Sequence, residues 1–176
     1  MNLSRFMTGL ARGLAIIGGF ALVAITVITV VSITGRGLTA FGLKPVPGDF
    51  ELVEVGTAFA VFAFLPWCQL TRGHATVDVF TSFLSPAINR VIDLVTELLM
   101  TAVIVLIAVQ LWHGMWDKIR YQETTFILQF PVWWGFAAAM VAVCVAVLVS
   151  FYVLFVRVQE VRAGRAILGP GQGAVH

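Results

Sequence analysis

Charged residues are scarce in this sequence. Asp, Glu, Lys and Arg make up 11% of the 176 residues, whereas hydrophobic residues make up 60%. A soluble domain carries about 25% charged residues, so this chain has too little polar surface to face water. The net charge is only +2 and the basic residues are scattered, which argues against a nucleic-acid partner. The composition indicates one domain embedded in membrane lipid.

Cysteine and histidine are also rare. Cys68 and Cys144 both lie in apolar segments with no second cysteine nearby. A disulfide framework or a CxxC redox pair is therefore not expected, and both thiols are predicted to be buried. The three histidines form no HExxH motif and no Cys/His cluster, so the sequence predicts no metal site, no cofactor and no catalytic centre.

Four apolar segments are long enough to cross a membrane. A transmembrane helix needs about 20 apolar residues, and it satisfies its own backbone hydrogen bonds in lipid. The predicted spans are 13–34, 50–70, 93–112 and 131–156. The first run has 22 residues and no A-x-A cleavage pattern, so we expect a retained anchor rather than a signal peptide.

The spans predict one transmembrane domain over 1–163, followed by a disordered tail, 164–176, that contains GPGQG.

The third span has two possible starts. Residues 98–112 contain no charge, but at the standard helical rise they cover only about 22 Å. Either the helix begins near Asp93 and draws Asp93 and Glu97 into the membrane, or it continues to Trp116. Tryptophan is typical of membrane interfaces, so Trp112 and Trp116 favour the first alternative.

Lysine and arginine are unevenly divided between the two sides of the membrane. Cytoplasmic loops carry the excess of these residues in membrane proteins. One side, with both termini and the segment between spans two and three, carries Arg5, Arg12, Arg72, Arg90, Arg157, Arg162 and Arg165. The other side carries Arg36, Lys44, Lys118 and Arg120. This distribution predicts that both termini are cytoplasmic.

The segment between spans two and three is amphipathic. Apolar residues recur at three- and four-residue spacing from Val77 to Ile88, with polar residues such as Asp78 and Ser82 between them. Such a pattern predicts a short helix over about 76–89 that lies along the cytoplasmic membrane surface.

The start of span two is acidic. Asp49 is predicted to cap the helix, and Glu51 and Glu54 follow in its first turns. Negative charge is favoured there by the helix dipole. These carboxylates are expected at the outer surface, so the chain lacks the mid-membrane carboxylate that a small proton-coupled exporter would need.

Three charged residues share one face at the start of span three. Arg90, Asp93 and Glu97 are spaced by three and four residues, and an ionisable group inside a membrane is a functional hypothesis because insertion costs about 2.5–3.5 kcal/mol at the centre. In one reading Arg90 pairs with Asp93 and Glu97 reaches the headgroups. In the other, the carboxylates pair with basic residues of another membrane protein.

Small residues recur every four positions in two spans. The stripes are Ala11, Ala15 and Gly19, and Ala138, Ala142 and Ala146. Such stripes allow helices to approach closely. Four helices without a visible pore, pump or redox apparatus indicate a scaffold or an accessory subunit.

The order of several motifs resembles that of a known family. The motifs are Arg36 at the end of span one, PGDFEL at 47–52, FLPWCQL at 64–70, GHATVD at 73–78 preceded by Arg72, and Glu123 with Pro131 ahead of Trp133 and Trp134. Their order with four spans, from about residue 35 to 157, resembles the small membrane subunit (DctQ-like, or Q subunit) of TRAP, tripartite ATP-independent periplasmic, transporters.

The resemblance implies a fold, a location and partners. It implies an all-α protein of the bacterial inner membrane with four transmembrane helices and both termini in the cytoplasm. It implies association with a large multi-span permease subunit that holds the sodium and substrate sites, and with a soluble periplasmic binding protein that delivers an organic acid carrying a carboxylate. The small subunit would brace the large one, with no enzymatic activity of its own.

The resemblance also suggests roles for the charged residues. Those expected to fix the surface helix on the cytoplasmic side are Arg72, His74 and Asp78. Those expected to meet the large subunit are Arg90, Asp93 and Glu97. Those expected near the docked binding protein, or in a structural role, are Arg36, Glu51 and Glu54.

Two other functions are also compatible with the sequence. A membrane anchor of a respiratory oxidoreductase would hold haem through His74 or His113, although these two histidines are expected on opposite faces of the membrane. A stand-alone exporter would move solute without a partner.

Overall fold

The computed structural model describes residues 2–71 and 86–163, and these two ranges are helical apart from connecting loops and an isolated bridge between Thr124 and Pro131. Within these two ranges, four helices are long and apolar enough to cross a membrane. They are α1 (Asn2–Gly37), α2 (Asp49–Leu70), α3 (Pro86–Arg120) and α4 (Trp133–Ala163), with a short 3-10 helix at Thr39–Phe41. The predicted fold class, an all-α protein with four transmembrane helices, is confirmed.

Several expectations fall outside these ranges. Arg72, His74 and Asp78 lie there, as do the tail 164–176 and most of the proposed surface helix at 76–89. The last four residues of that proposed helix, 86–89, form the beginning of α3.

Helix α3 includes both the early start near Asp93 and the continuation to Trp116 that were considered for the third span. It has 35 residues, or about 52 Å of helix, which exceeds the hydrocarbon thickness of about 30 Å. One continuous helix therefore contains Asp93 and Glu97 near its beginning and Trp112 and Trp116 near its end.

The helices pack in the order α1, α2, α4, α3. Helix α1 packs on α2, α2 on α4 and α4 on α3, while α1 touches α4 mainly where Ala11 meets Val149 and Val153. Successive spans alternate in direction, so the first residues of α1 and the last residues of α4 lie at one end, here called the termini end. The loops 38–48 and 121–132 lie at the other, the loop end. Helix α4 is the central and most buried helix.

Small residues form the contacts between neighbouring helices. A Cβ atom on Gly18 would lie 2.8 Å from the Cβ of Ala63, and one on Gly56 would lie 2.5 Å from the side chain of Ile25. Ala142 and Ala146 are fully buried in α4, as their predicted stripe indicates. In α1 the glycine that contacts α2 is Gly18 rather than the predicted Gly19. The rotation of α1 about its axis decides which residue faces α2, and that rotation is set by packing.

The prediction that both cysteines are buried was wrong for Cys144. Cys68 is half-buried, whereas Cys144 is exposed on the surface of α4, and neither forms a disulfide. An apolar segment in lipid need not face the protein interior, because an exposed thiol there meets acyl chains.

A larger residue at Gly18 is expected to destabilise the bundle. Gly18→Leu would force a side chain into Ala63 and the backbone of Ala60, and overpacking of this kind costs about 1–3 kcal/mol. Thermal unfolding of the purified chain in detergent measures the loss. Gly19→Leu is the matched control, since a Cβ at Gly19 has no atom within 4 Å. Equal unfolding temperatures for the two variants would contradict this packing.

Candidate functional site

Three buried polar side chains connect three helices near the termini end. The side-chain amide of Gln69 on α2 donates to Oε1 of Glu97 on α3. The hydroxyl of Ser150 on α4 donates to Oε1 of Gln69 at 2.7 Å. Gln69 and Ser150 are buried, and Glu97 is only 9% exposed. The Glu97 carboxylate therefore has hydrogen-bonding partners within its own chain, which neither reading of the sequence included.

A second polar cluster lies further towards the end of α4 on the same side of the bundle. Nη1 of Arg157 on α4 is 3.3 Å from a carboxylate oxygen of Asp93 and 3.0 Å from one of Glu160. The Arg157 side chain is 7% exposed, whereas that of Asp93 is 44% exposed. Asp93 thus pairs across helices with Arg157, a partner that neither reading of the sequence included.

Sequence reasoning missed Arg157 and Glu160 as site residues, although a signal was present. Ser150, Val153, Arg157 and Glu160 follow one another at spacings of three and four and are all buried. They lie on the same face of α4 as the buried residues Ala142, Ala146 and Val149, so the helical periodicity places them on the packed face. The arrangement can hold α2, α3 and α4 in one register, because interhelical hydrogen bonds in membranes stabilise contacts by roughly 0.6 kcal/mol on average.

At the loop end, Ser32 joins α1 to the start of α2. Its buried hydroxyl donates to Oδ2 of Asp49 at 2.5 Å and accepts a hydrogen bond from the backbone N–H of Val46 at 3.2 Å. Arg36 lies 3.8 Å from the same carboxylate. The residue that precedes α2 is Gly48, with φ of 73°, so the prediction of Asp49 as the cap was one residue too late. Ser32 thus connects the α1–α2 loop, through Val46, to the start of α2, through Asp49.

Two glycines allow the chain to pass close to itself at this end. A Cβ on Gly35 would clash with the carbonyl oxygen of Lys44, and one on Gly48 would clash with the side chain of Leu128. Gly48 thus brings the α1–α2 loop into contact with the α3–α4 hairpin (121–132).

Glu51 ties that hairpin to α2. Its carboxylate accepts hydrogen bonds from the backbone N–H groups of Ile127 at 2.7 Å and Leu128 at 3.0 Å. Within the hairpin, the N–H of Thr125 donates to the carbonyl of Phe130 at 3.0 Å. Lys118 pairs with Glu123 at 2.6 Å where α3 ends. Sequence reasoning placed Glu51 in the first turn of the helix, but its use here depends on residues 76 and 77 positions away.

A groove of about 580 Å³ separates α2 from α3 at the loop end. The two helices are bridged at the termini end by Gln69 and Glu97. Helix α4 forms the floor, and the hairpin forms the roof. The lining includes Glu54, Ala58 and Phe62 of α2, Leu111 of α3, Gly135, Phe136 and Ala139 of α4, and residues 123–127 of the hairpin.

The predicted site residues thus form two groups at opposite ends of the bundle. Arg90, Asp93 and Glu97 belong to the termini end, and Arg36, Glu51 and Glu54 to the loop end. Of the three histidines, the described part contains His113, which is exposed on α3. Within residues 2–71 and 86–163, no group of three or more His, Cys, Asp or Glu side chains is placed to hold a metal ion.

Comparison with known proteins assigns the chain to a family. Residues 9–160 match the family model described as Tripartite ATP-independent periplasmic transporters, DctQ component. Searches of curated proteins and of solved structures found no match. The family match confirms the resemblance indicated by the motifs, and it identifies a transporter component rather than an enzyme; it does not favour a haem anchor. The chain belongs to the DctQ component family of TRAP transporters.

Proposed function

We propose that this chain braces the large permease subunit of a TRAP transporter that takes up an organic acid. The sodium gradient would drive uptake, and a periplasmic binding protein would deliver the carboxylate. The observation that supports a bracing role is the location of the polar groups near the termini end. Gln69, Glu97 and Ser150 bond to one another across three helices, so they hold the chain together, while large apolar side chains cover its outside.

The orientation is part of the proposal. The four helices and the family make the chain a multi-pass protein of the inner membrane. We infer that the termini end is cytoplasmic, because that side carries the larger share of the arginines. The loop end would then face the periplasm and the binding protein.

We propose different roles for the charged residues at the termini end. Asp93 is partly exposed and Arg90 is half-buried, so both can meet a neighbouring subunit. Glu97 would act indirectly, through the position of α3, because its carboxylate is buried against Gln69. The role of Arg72, His74 and Asp78 in fixing a surface helix rests on the sequence pattern and the family resemblance.

The loop end would shape the surface that the binding protein meets. Arg36 lies near Asp49 at the start of α2, Glu51 accepts hydrogen bonds from the hairpin, and Glu54 lines the groove. We propose that Arg36 and Glu51 act by positioning the two loops of that end.

Co-purification with the large permease subunit tests the bracing role. The double variant Asp93→Asn, Glu97→Gln is expected to recover several-fold less large subunit than the wild type, and Arg90→Gln is expected to show a smaller loss in the same direction. Asp117→Asn, an exposed carboxylate on the loop-end part of α3, is the matched control and should recover the wild-type amount. Unchanged recovery and unchanged uptake in both termini-end variants would contradict the proposal.

Reconstitution separates this function from the alternatives. Uptake into vesicles should require the chain, the large subunit, the binding protein and a sodium gradient together. Solute movement by the chain alone would instead indicate an exporter. A Soret band in the purified chain would indicate a haem anchor.

A further inference from the structure

The groove at the loop end is polar at its outer end and apolar further in, which matches the shape of an amphiphilic molecule. Glu54 lies near its outer end, and Ala58 and Phe62 follow on the same face of α2 at four-residue spacing. From Glu54 to Phe62 the helix advances about 12 Å towards the membrane centre. The lining changes over that distance from a carboxylate to apolar side chains, as a lipid changes from headgroup to acyl chain.

The charges in the groove are all negative, and one of them is not neutralised. Three carboxylates line it. Glu51 is engaged by the hairpin amides, and Glu123 pairs with Lys118. The Glu54 carboxylate is exposed and forms no hydrogen bond or ion pair with another residue of the described part. No lysine or arginine of that part lines the groove, so an occupant with a cationic head is complementary to it, whereas an anionic head is repelled.

The mouth of the groove carries apolar side chains without cover. Phe126 at the tip of the hairpin is 96% exposed, and Phe50 at the start of α2 is 75% exposed. Both line the groove. Exposed apolar patches of this kind mark sites that contact lipid, protein or ligand.

We propose that the groove binds a phospholipid with a primary ammonium headgroup from the leaflet at the loop end. The ammonium group would donate to Glu54, and an acyl chain would lie between α2 and α3 on the small residues Gly135 and Ala139. The hairpin roof excludes a partner's transmembrane helix, because such a helix must continue past the membrane surface, whereas a lipid ends there. This lipid site goes beyond the proposed bracing role and uses no contact with another subunit.

Native mass spectrometry of the delipidated full chain tests the site. The chain is titrated in detergent with phosphatidylethanolamine and, separately, with phosphatidylglycerol. We expect one phosphatidylethanolamine per chain to bind more tightly than phosphatidylglycerol. Glu54→Gln, which keeps the side-chain shape and one acceptor oxygen, should weaken phosphatidylethanolamine binding about tenfold, because the ammonium group loses the charge of its hydrogen-bond partner. Ala58→Trp, which fills the groove, should reduce binding of both lipids.

The same titration includes a control variant and gives the results that would contradict the lipid site. Asp117→Asn changes an exposed carboxylate of the same end outside the groove lining and should bind like the wild type. Equal binding of the two lipids, or binding unaffected by Glu54→Gln, would overturn the proposal and indicate ordinary annular lipid. The measurement uses the chain alone, so its failure leaves the co-purification result with the large subunit unaffected.

Discussion

Replacing Arg157 by Met is expected to destabilise the chain by roughly 3–5 kcal/mol, the range for removing one partner of a buried ion pair. The guanidinium is bound by Asp93 of α3 and by Glu160 of its own helix. Arg157 and Glu160 are both buried. Met retains much of the side-chain length but supplies no donor, so the two carboxylates lose the cation that they share. Reversible unfolding of the purified chain in mixed micelles measures the loss.

A matched substitution separates the ion pair from a general loss of charge. Arg162→Met alters an exposed arginine at the end of the same helix and is expected to change stability by less than about 0.5 kcal/mol. The double variant Arg157→Met, Glu160→Met should recover much of the stability lost in Arg157→Met, because an apolar pair can replace a buried ion pair. If Arg157→Met is as stable as Arg162→Met, the buried cluster does not hold α3 to α4.

The transmembrane architecture could be predicted from sequence because lipid imposes a strong constraint. Backbone groups in hydrocarbon must bond within their own helix, so length and hydropathy alone identify four spans. The number and type of the helices, and the family, follow from that pattern and the order of the motifs. The length of α3 did not follow from that pattern, because Glu97 and Asp93 have partners on α2 and α4 that lie 28 and 64 residues away.

The candidate site was predicted in part, and its errors have physical causes. The charged residues on α3 were identified because ionisable groups are rare in membranes. The contacts of these residues could not be predicted without knowing which helix faces pack against each other. A rotation of one residue, about 100°, exchanges Gly19 for Gly18 at the α1–α2 contact. The contacts of Glu51 could not be predicted, because its partners lie in a loop 76 and 77 residues away and no local sequence pattern indicates such a contact.

Removing the Glu51 carboxylate is expected to release the α3–α4 hairpin while leaving the helices intact. In Glu51→Ala the amides of Ile127 and Leu128 lose their shared acceptor. Hydrogen exchange of residues 125–130 should then become about an order of magnitude faster, since bonds to a charged acceptor are stronger than neutral ones. Glu51→Gln retains one acceptor oxygen and should show an intermediate rate. Exchange mass spectrometry of the purified chain resolves the hairpin from the helices.

Glu54 provides the control one turn away. Glu54→Ala removes a carboxylate from the same helix that makes no bond to the hairpin amides, so hairpin exchange should stay at the wild-type rate. If Glu51→Ala also leaves exchange unchanged, the carboxylate does not fix the loop.

The salt dependence of uptake distinguishes positioning from electrostatic attraction at the loop end. If Glu51 attracts the binding protein through its charge, the uptake defect of Glu51→Ala should shrink as ionic strength rises, because the screening length falls from about 10 Å at 0.1 M to about 3 Å at 1 M. If Glu51 acts by holding the hairpin, the loop is released at every salt concentration, and the defect should persist. We expect the second result, because the carboxylate is engaged by two amides of its own chain. A defect that disappears at high salt would assign Glu51 to direct electrostatic docking.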